Sequence, residues 1–189
     1  MVLAGLILLL SAQAADTPPP VAKPAAPPVD NPLAPAAQGL IECANPDDIA
    51  KTCRSLARYT RQSDGTFINQ AEVLLVPTEP VTITFSGPTR LKGNAVCGTL
   101  TTQMVKTGML RYAGNVVPDK AAMQITPRIL AGLTRAGVLD KEICTTQSPD
   151  GNGFLEKATM DGKETAEDTH LVWISPDAGY TVGPRNSPG

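Results

Sequence analysis

The chain has 189 residues, a formal net charge of −2, and 42% apolar residues with only 4% aromatics. That leaves room for one domain with an aliphatic core, and it excludes a strongly basic nucleic-acid binder. Four cysteines and a single histidine, with no C-x-x-C pair, exclude a zinc knuckle and a redox dithiol, and no cofactor is expected.

Residues 2–10, VLAGLILLL, form an apolar run ending at Ser11, and Ala12-Gln13-Ala14 supplies a small-x-small cleavage pattern. The run is too short to span a bilayer and reads as a secretory signal peptide over 1–14, cleaved near Ala14, although no Lys or Arg precedes it. The expected location is periplasmic or secreted, with no transmembrane segment in the mature chain. Residues 15–38 carry eight prolines. Proline removes a ladder donor and restricts its neighbours, so this stretch is expected to be a Pro/Ala-rich disordered linker, reaching up to ~70 Å. A single domain over 39–176 and a flexible tail over 177–189 are expected to follow.

Between Cys43 and Arg61, Asn45-Pro46 reads as a helix cap with proline at the first position, and Asp47 and Asp48 suit the first turn. Ile49, Cys53, Leu56 and Thr60 recur at helical spacing, which predicts an amphipathic helix. Lys51, Arg54, Arg58 and Arg61 fall on its other face. This basic stripe reads mainly as a solvated face, or else as a contact for an anionic envelope component.

Phe67–Val76 is predicted as a strand, and Val81, Ile83 and Phe85 alternate with threonines as in a second, half-buried one. Ser86-Gly87-Pro88 reads as a turn into a further strand over 89–97. Residues 98–117 suggest a short helix interrupted by glycines. Thr126-Pro127 predicts the start of a second main helix, ended by Gly137. Gly153–Met160, an Asp161-Gly162 turn and the run to Ile174 read as a hairpin. The combined expectation is an α+β fold: a small antiparallel sheet of about four to five strands packed with two main helices and stapled by disulfides.

Cys43, Cys53, Cys97 and Cys144 are expected to form two disulfides, because an exported chain matures in an oxidising compartment. On the helix reading, Cys53 lies about 12 Å beyond the cap, which disfavours pairing with Cys43 and favours bridges from Cys43 and Cys53 to Cys97 and Cys144. His170, with Asp168 nearby, would have to serve as the base of any Ser/His/Asp hydrolase, but no G-x-S-x-G elbow accompanies it and Ser86 lies in the expected turn. Ser148–Thr159 has the outline of a calcium loop yet lacks its first Asp and last Glu, and no metal site is expected. Glu156, Asp161, Glu164, Glu167 and Asp168 read as solvated edge charges of the hairpin. These features favour a non-enzymatic, exported binding or structural-interaction module of the cell envelope. The alternative is an envelope enzyme, such as a hydrolase with a scattered carboxylate/His site.

Overall fold

A computed structural model describes residues 29–165 and 168–185. The expected signal peptide, most of the linker, and Glu167 lie outside these residues. In chain order the strands are β1 (Ile41–Ala44), β2 (Thr52–Cys53), β3 (Ser55–Arg61), β4 (Phe67–Val76), β5 (Glu79–Lys92) and β6 (Ala95–Thr99). Helix α1 (Thr102–Thr107), β7 (Met109–Tyr112), β8 (Asn115–Val116) and helix α2 (Asp119–Arg135) come next. They are followed by β9 (Glu142–Asp150), β10 (Gly153–Met160), β11 (Lys163–Glu164), β12 (Thr169–Ile174) and β13 (Thr181–Val182).

The architecture is a closed antiparallel barrel of eight strands, not a small sheet backed by two helices. β1, β3, β4, β5, β6, β9, β10 and β12 follow one another around the wall, and β12 pairs back onto β1 to close it. Successive barrel strands are joined by connections of at most ten residues except between β6 and β9, where residues 100–141 are inserted. The sequence supports this through its period-2 pattern. One register set (Glu42, Ala57, Ala71, Phe85, Val96, Thr145, Glu156, Leu171) faces inward, while Arg58, Gln70, Glu72, Arg90 and Lys157 face outward. Charges in mid-strand on the outer wall are the opposite of the apolar band a lipid-facing barrel presents. Among the described residues, no helix is long and apolar enough to cross a membrane.

The helix expected over Cys43–Arg61 is two barrel strands joined by a loop. Its helical spacing was produced by strand residues that also alternate: Leu56, Arg58 and Thr60 point outward, and Ser55, Ala57 and Tyr59 inward. Asn45 does not cap a helix. It adopts a left-handed φ of 49°, and its Oδ1 accepts a hydrogen bond from the amide of His170 in β12. Asp47 Oδ1 instead closes a local turn by accepting from the amides of Ile49 and Ala50. With no helix to separate them, Cys43 and Cys53 bridge each other, 5.5 Å apart at Cα, and Cys97 bridges Cys144 on the neighbouring strand. The cross-pairing favoured by the helix geometry is therefore corrected along with the helix.

Ser86-Gly87-Pro88 is not a turn either: β5 runs through it to Lys92. The second helix starts earlier than Thr126 and holds Pro127 in its interior. The inserted segment extends the wall, since β7 pairs with Val81–Thr84 of β5 beyond the reach of β6. Thr101 caps α1 by accepting from the amide of Met104, and Val105 packs with Ile83 and Leu110 in the apolar cluster that seats the insert. A Cβ at position 87 would lie 2.4 Å from Met104 Cε, so the glycine admits that side chain against the wall.

Residues 30–38, expected within the linker, pack against the barrel instead. Leu33 is 2% exposed, Pro32 is fully buried, and the amide of Val29 donates to the carbonyl of Gln147. Part of the expected tail is likewise ordered: β13 lies parallel to β2, and the carbonyls of Lys51 and Cys53 accept from the amides of Thr181 and Gly183.

Candidate functional site

Seven of the eight barrel strands contribute to a cavity of about 250 Å³ inside the barrel, and Leu100 and Met104 of the insert complete its wall. An eight-stranded barrel is just wide enough to be filled by its side chains or to hold one small molecule. Here the side chains leave part of the lumen unfilled. A wider cavity of about 620 Å³ continues toward the insert, where Ala136 and Val138 line it, and Arg54 lies at its wall. Glu42 and Glu156 line both cavities.

The lining is polar where a filled barrel would be apolar. Glu42 on β1 is 9% exposed, and the Tyr59 hydroxyl, one strand away, donates to its carboxylate at 3.2 Å. The Tyr59 ring leans toward Trp173 with centroids 6.1 Å apart. Trp173 is the register partner of Glu42 on the other side. Glu156 on β10 faces Gln147 across the β9–β10 pair. Burial is the main reason that Glu42 is held well above its ordinary range, with the charge of Glu156 adding to it and the Tyr59 hydrogen bond opposing it. Burial likewise raises Glu156 to about 7, partly offset by the polar side chains of Thr145 and Gln147. The Tyr59 hydroxyl is pushed up by burial and by both carboxylates.

Several lumen groups lack partners. Asn69 Oδ1, both polar atoms of Gln147, and Trp173 Nε1 are buried without a hydrogen bond of ordinary geometry. Gln147 is 1% exposed. Each such group costs on the order of 1–3 kcal/mol when left unsatisfied, and an ordered water or a polar group of a bound molecule would satisfy it.

No protein-family model, curated protein or solved structure matches this chain. The site is therefore read from its own chemistry.

The residues singled out in the sequence are mostly elsewhere. Lys51, Arg54, Arg58 and Arg61 form no common stripe once the helix is gone. Lys51 Nζ lies 4.6 Å above the Tyr180 ring, Arg58 faces outward from mid-strand, and Arg61 ends β3. His170 lies on the outward register of β12 with Nδ1 3.8 Å from Asp150, so the barrel wall separates it from the lumen carboxylates. The outline of a calcium loop at Ser148–Thr159 is the β9–β10 hairpin, turned at Gly151-Asn152 between Asp150 and Gly153. Among the described residues no group of three or more His, Cys, Asp or Glu side chains is placed to hold a metal. Of the acidic residues expected on the hairpin edge, Asp161 pairs with Lys141 at 2.6 Å and Glu164 is exposed, but Glu156 points into the barrel.

Sequence reasoning missed Glu42, Tyr59, Asn69, Gln147 and Trp173. The available signal was phase: Glu156 shares its alternation with Phe154 and Ala158, and Glu42 shares its phase with Ala44. A carboxylate on the apolar phase of a strand marks an interior position.

Proposed function

We propose that this chain is an exported binding module whose barrel lumen holds a small molecule. The observation that supports this reading is a cavity of about 250 Å³ lined by Glu42, Glu156 and the unpartnered Oδ1 of Asn69, with the buried side chains of Gln147 and Trp173 on the register positions beside the two carboxylates. Ligand sites combine an apolar lining with a few convergent polar groups, and here Phe85, Val96 and Met104 supply the former. Two disulfides suit a barrel that works in an oxidising compartment.

Trp173 is the only tryptophan and its ring lies 6.1 Å from that of Tyr59, which lines the cavity, so its emission reports on changes there. A compound screen read by Trp173 fluorescence and thermal midpoint should yield ligands that lose their effect on a Thr145→Phe variant, which fills the cavity. If every ligand that stabilises the native chain stabilises Thr145→Phe equally, the lumen is not the binding site.

A second reading rests on Glu156, whose near-neutral titration suits a general acid in an envelope hydrolase. Mass spectrometry of bound ligands over time separates the two: a binding module returns them unchanged.

A further inference from the structure

We infer that the lumen selects a small ligand bearing one cationic, hydrogen-bond-donating head, an ammonium or a guanidinium, seated between Glu42 and Glu156. This deepens the lumen reading and rests on it. The cavity has the acceptors for such a head. Glu42 and Glu156 offer four carboxylate oxygens on its lining, where Asn69 Oδ1 is a buried acceptor without a partner, and Gln147, 1% exposed, is the register partner of Glu156. The unpartnered donors, Gln147 Nε2 and Trp173 Nε1, are fewer and belong to groups that can complete a ligand's polar rim.

Charge points the same way. Among the described residues, the titratable or charged groups that face the two carboxylates are Tyr59 from β3 and, at the wider cavity, Arg54. The remaining strands around the pair bring Thr145, Gln147, Asn69 and Trp173, all uncharged. Among the described residues no Lys, Arg or His lines the narrower cavity, which the two acids share, whereas Arg54 lines the wider one. An anionic ligand would meet like charge wherever one of these carboxyls ionises, and a neutral one would leave both in the protonated form that burial favours, so only a cation gains from their ionisation. An ammonium with three donors matches the acceptor excess and makes charge-assisted hydrogen bonds.

Because burial favours protonated carboxyls, seating a cation must expel protons into solvent. The proton leaves a carboxyl oxygen and no covalent bond of the ligand changes. Affinity for a cationic head is therefore expected to rise from pH 5 to pH 8, while that of a neutral analogue stays level.

The test uses the mature chain with its disulfides intact and a series of alkyl- and benzylammonium ions, each beside its alcohol counterpart. Calorimetry at pH 7 in buffers of differing ionisation enthalpy should show about one proton released per ammonium bound and none per alcohol. Glu156→Gln and Glu42→Gln should each weaken ammonium binding roughly tenfold or more and leave alcohol binding within about twofold. Both variants remove a buried carboxyl and are expected to fold. If alcohols bind as well as ammonium ions, with no proton release and no effect of either substitution, the cationic class is wrong while the lumen site stands. If neither series perturbs Trp173 and both leave the thermal midpoint unmoved, the lumen holds only water and both readings fall together.

Discussion

Glu156 and Glu42 hold protons in the folded chain that the unfolded chain has released above about pH 4.5. The folded state thus binds more protons than the unfolded state above that pH, and stability declines as pH rises through the folded value of Glu156, about 7, and further where Glu42 gives up its proton. The shift from 4.5 to about 7 corresponds to roughly 3 kcal/mol, an upper value because Glu156 keeps partial exposure to the cavity. Glu156→Gln is expected to remove the share of this slope that Glu156 contributes and to leave that of Glu42. Urea unfolding at pH 4.5 and pH 7.5 checks it: the native chain should lose about 1–3 kcal/mol more across the interval than the variant. Parallel pH profiles for the two proteins would assign the carboxyl no folding role. A residue that weakens the fold near neutrality yet lines its cavity fits a site kept for binding rather than for packing.

At the scale of elements, the disulfides hold different things. Cys97–Cys144 joins register partners on β6 and β9 and so closes the wall where the insert leaves the barrel. Cys43–Cys53 staples the loop between β1 and β3 against its outer face. Constraint of the unfolded chain grows with loop length, giving about 4 kcal/mol for a sequence separation of 47 and under about 3 for one of 10. Replacing both members of the longer bridge by alanine is therefore expected to lower the denaturant midpoint more than replacing the shorter. Equal losses would mean that the local loop matters as much as the wall. Elements were legible where the pattern had one period. Val81–Phe85 alternates cleanly and Phe67–Val76 is bounded by turn residues, and both are barrel strands. Cys43–Arg61 was not legible, because Ile49, Cys53, Leu56 and Thr60 satisfy a helical spacing while the strand phase of Ser55–Arg61 satisfies a period of two. The tie is decided by long-range pairing with β4 and β12, which short-range sequence does not carry. Ile49, 98% exposed at the loop, is the residue that a helix would have buried.

For the whole molecule, the barrel and its insert differ in how they are held. Barrel strands have hydrogen-bonded neighbours on both sides, whereas α2 has no fully buried residue, exposes Met123, and carries Pro127 in its interior. Native-state hydrogen exchange should find residues 119–135 opening well before β4, β9 and β10, which should exchange only on global unfolding. Uniform protection across both would make the insert part of the barrel's cooperative unit. The number of strands was not readable from the sequence, because closure depends on β1 meeting β12 and no local signal specifies that meeting. Four residue pairs make that seam, from Ile41 with Ile174 to Ala44 with Leu171. Partners about 130 positions apart give the fold a high contact order, and such topologies form slowly. A chain still being synthesised cannot complete its ring until residues 169–174 have emerged, so its inner carboxylates stay wet until the last strand docks.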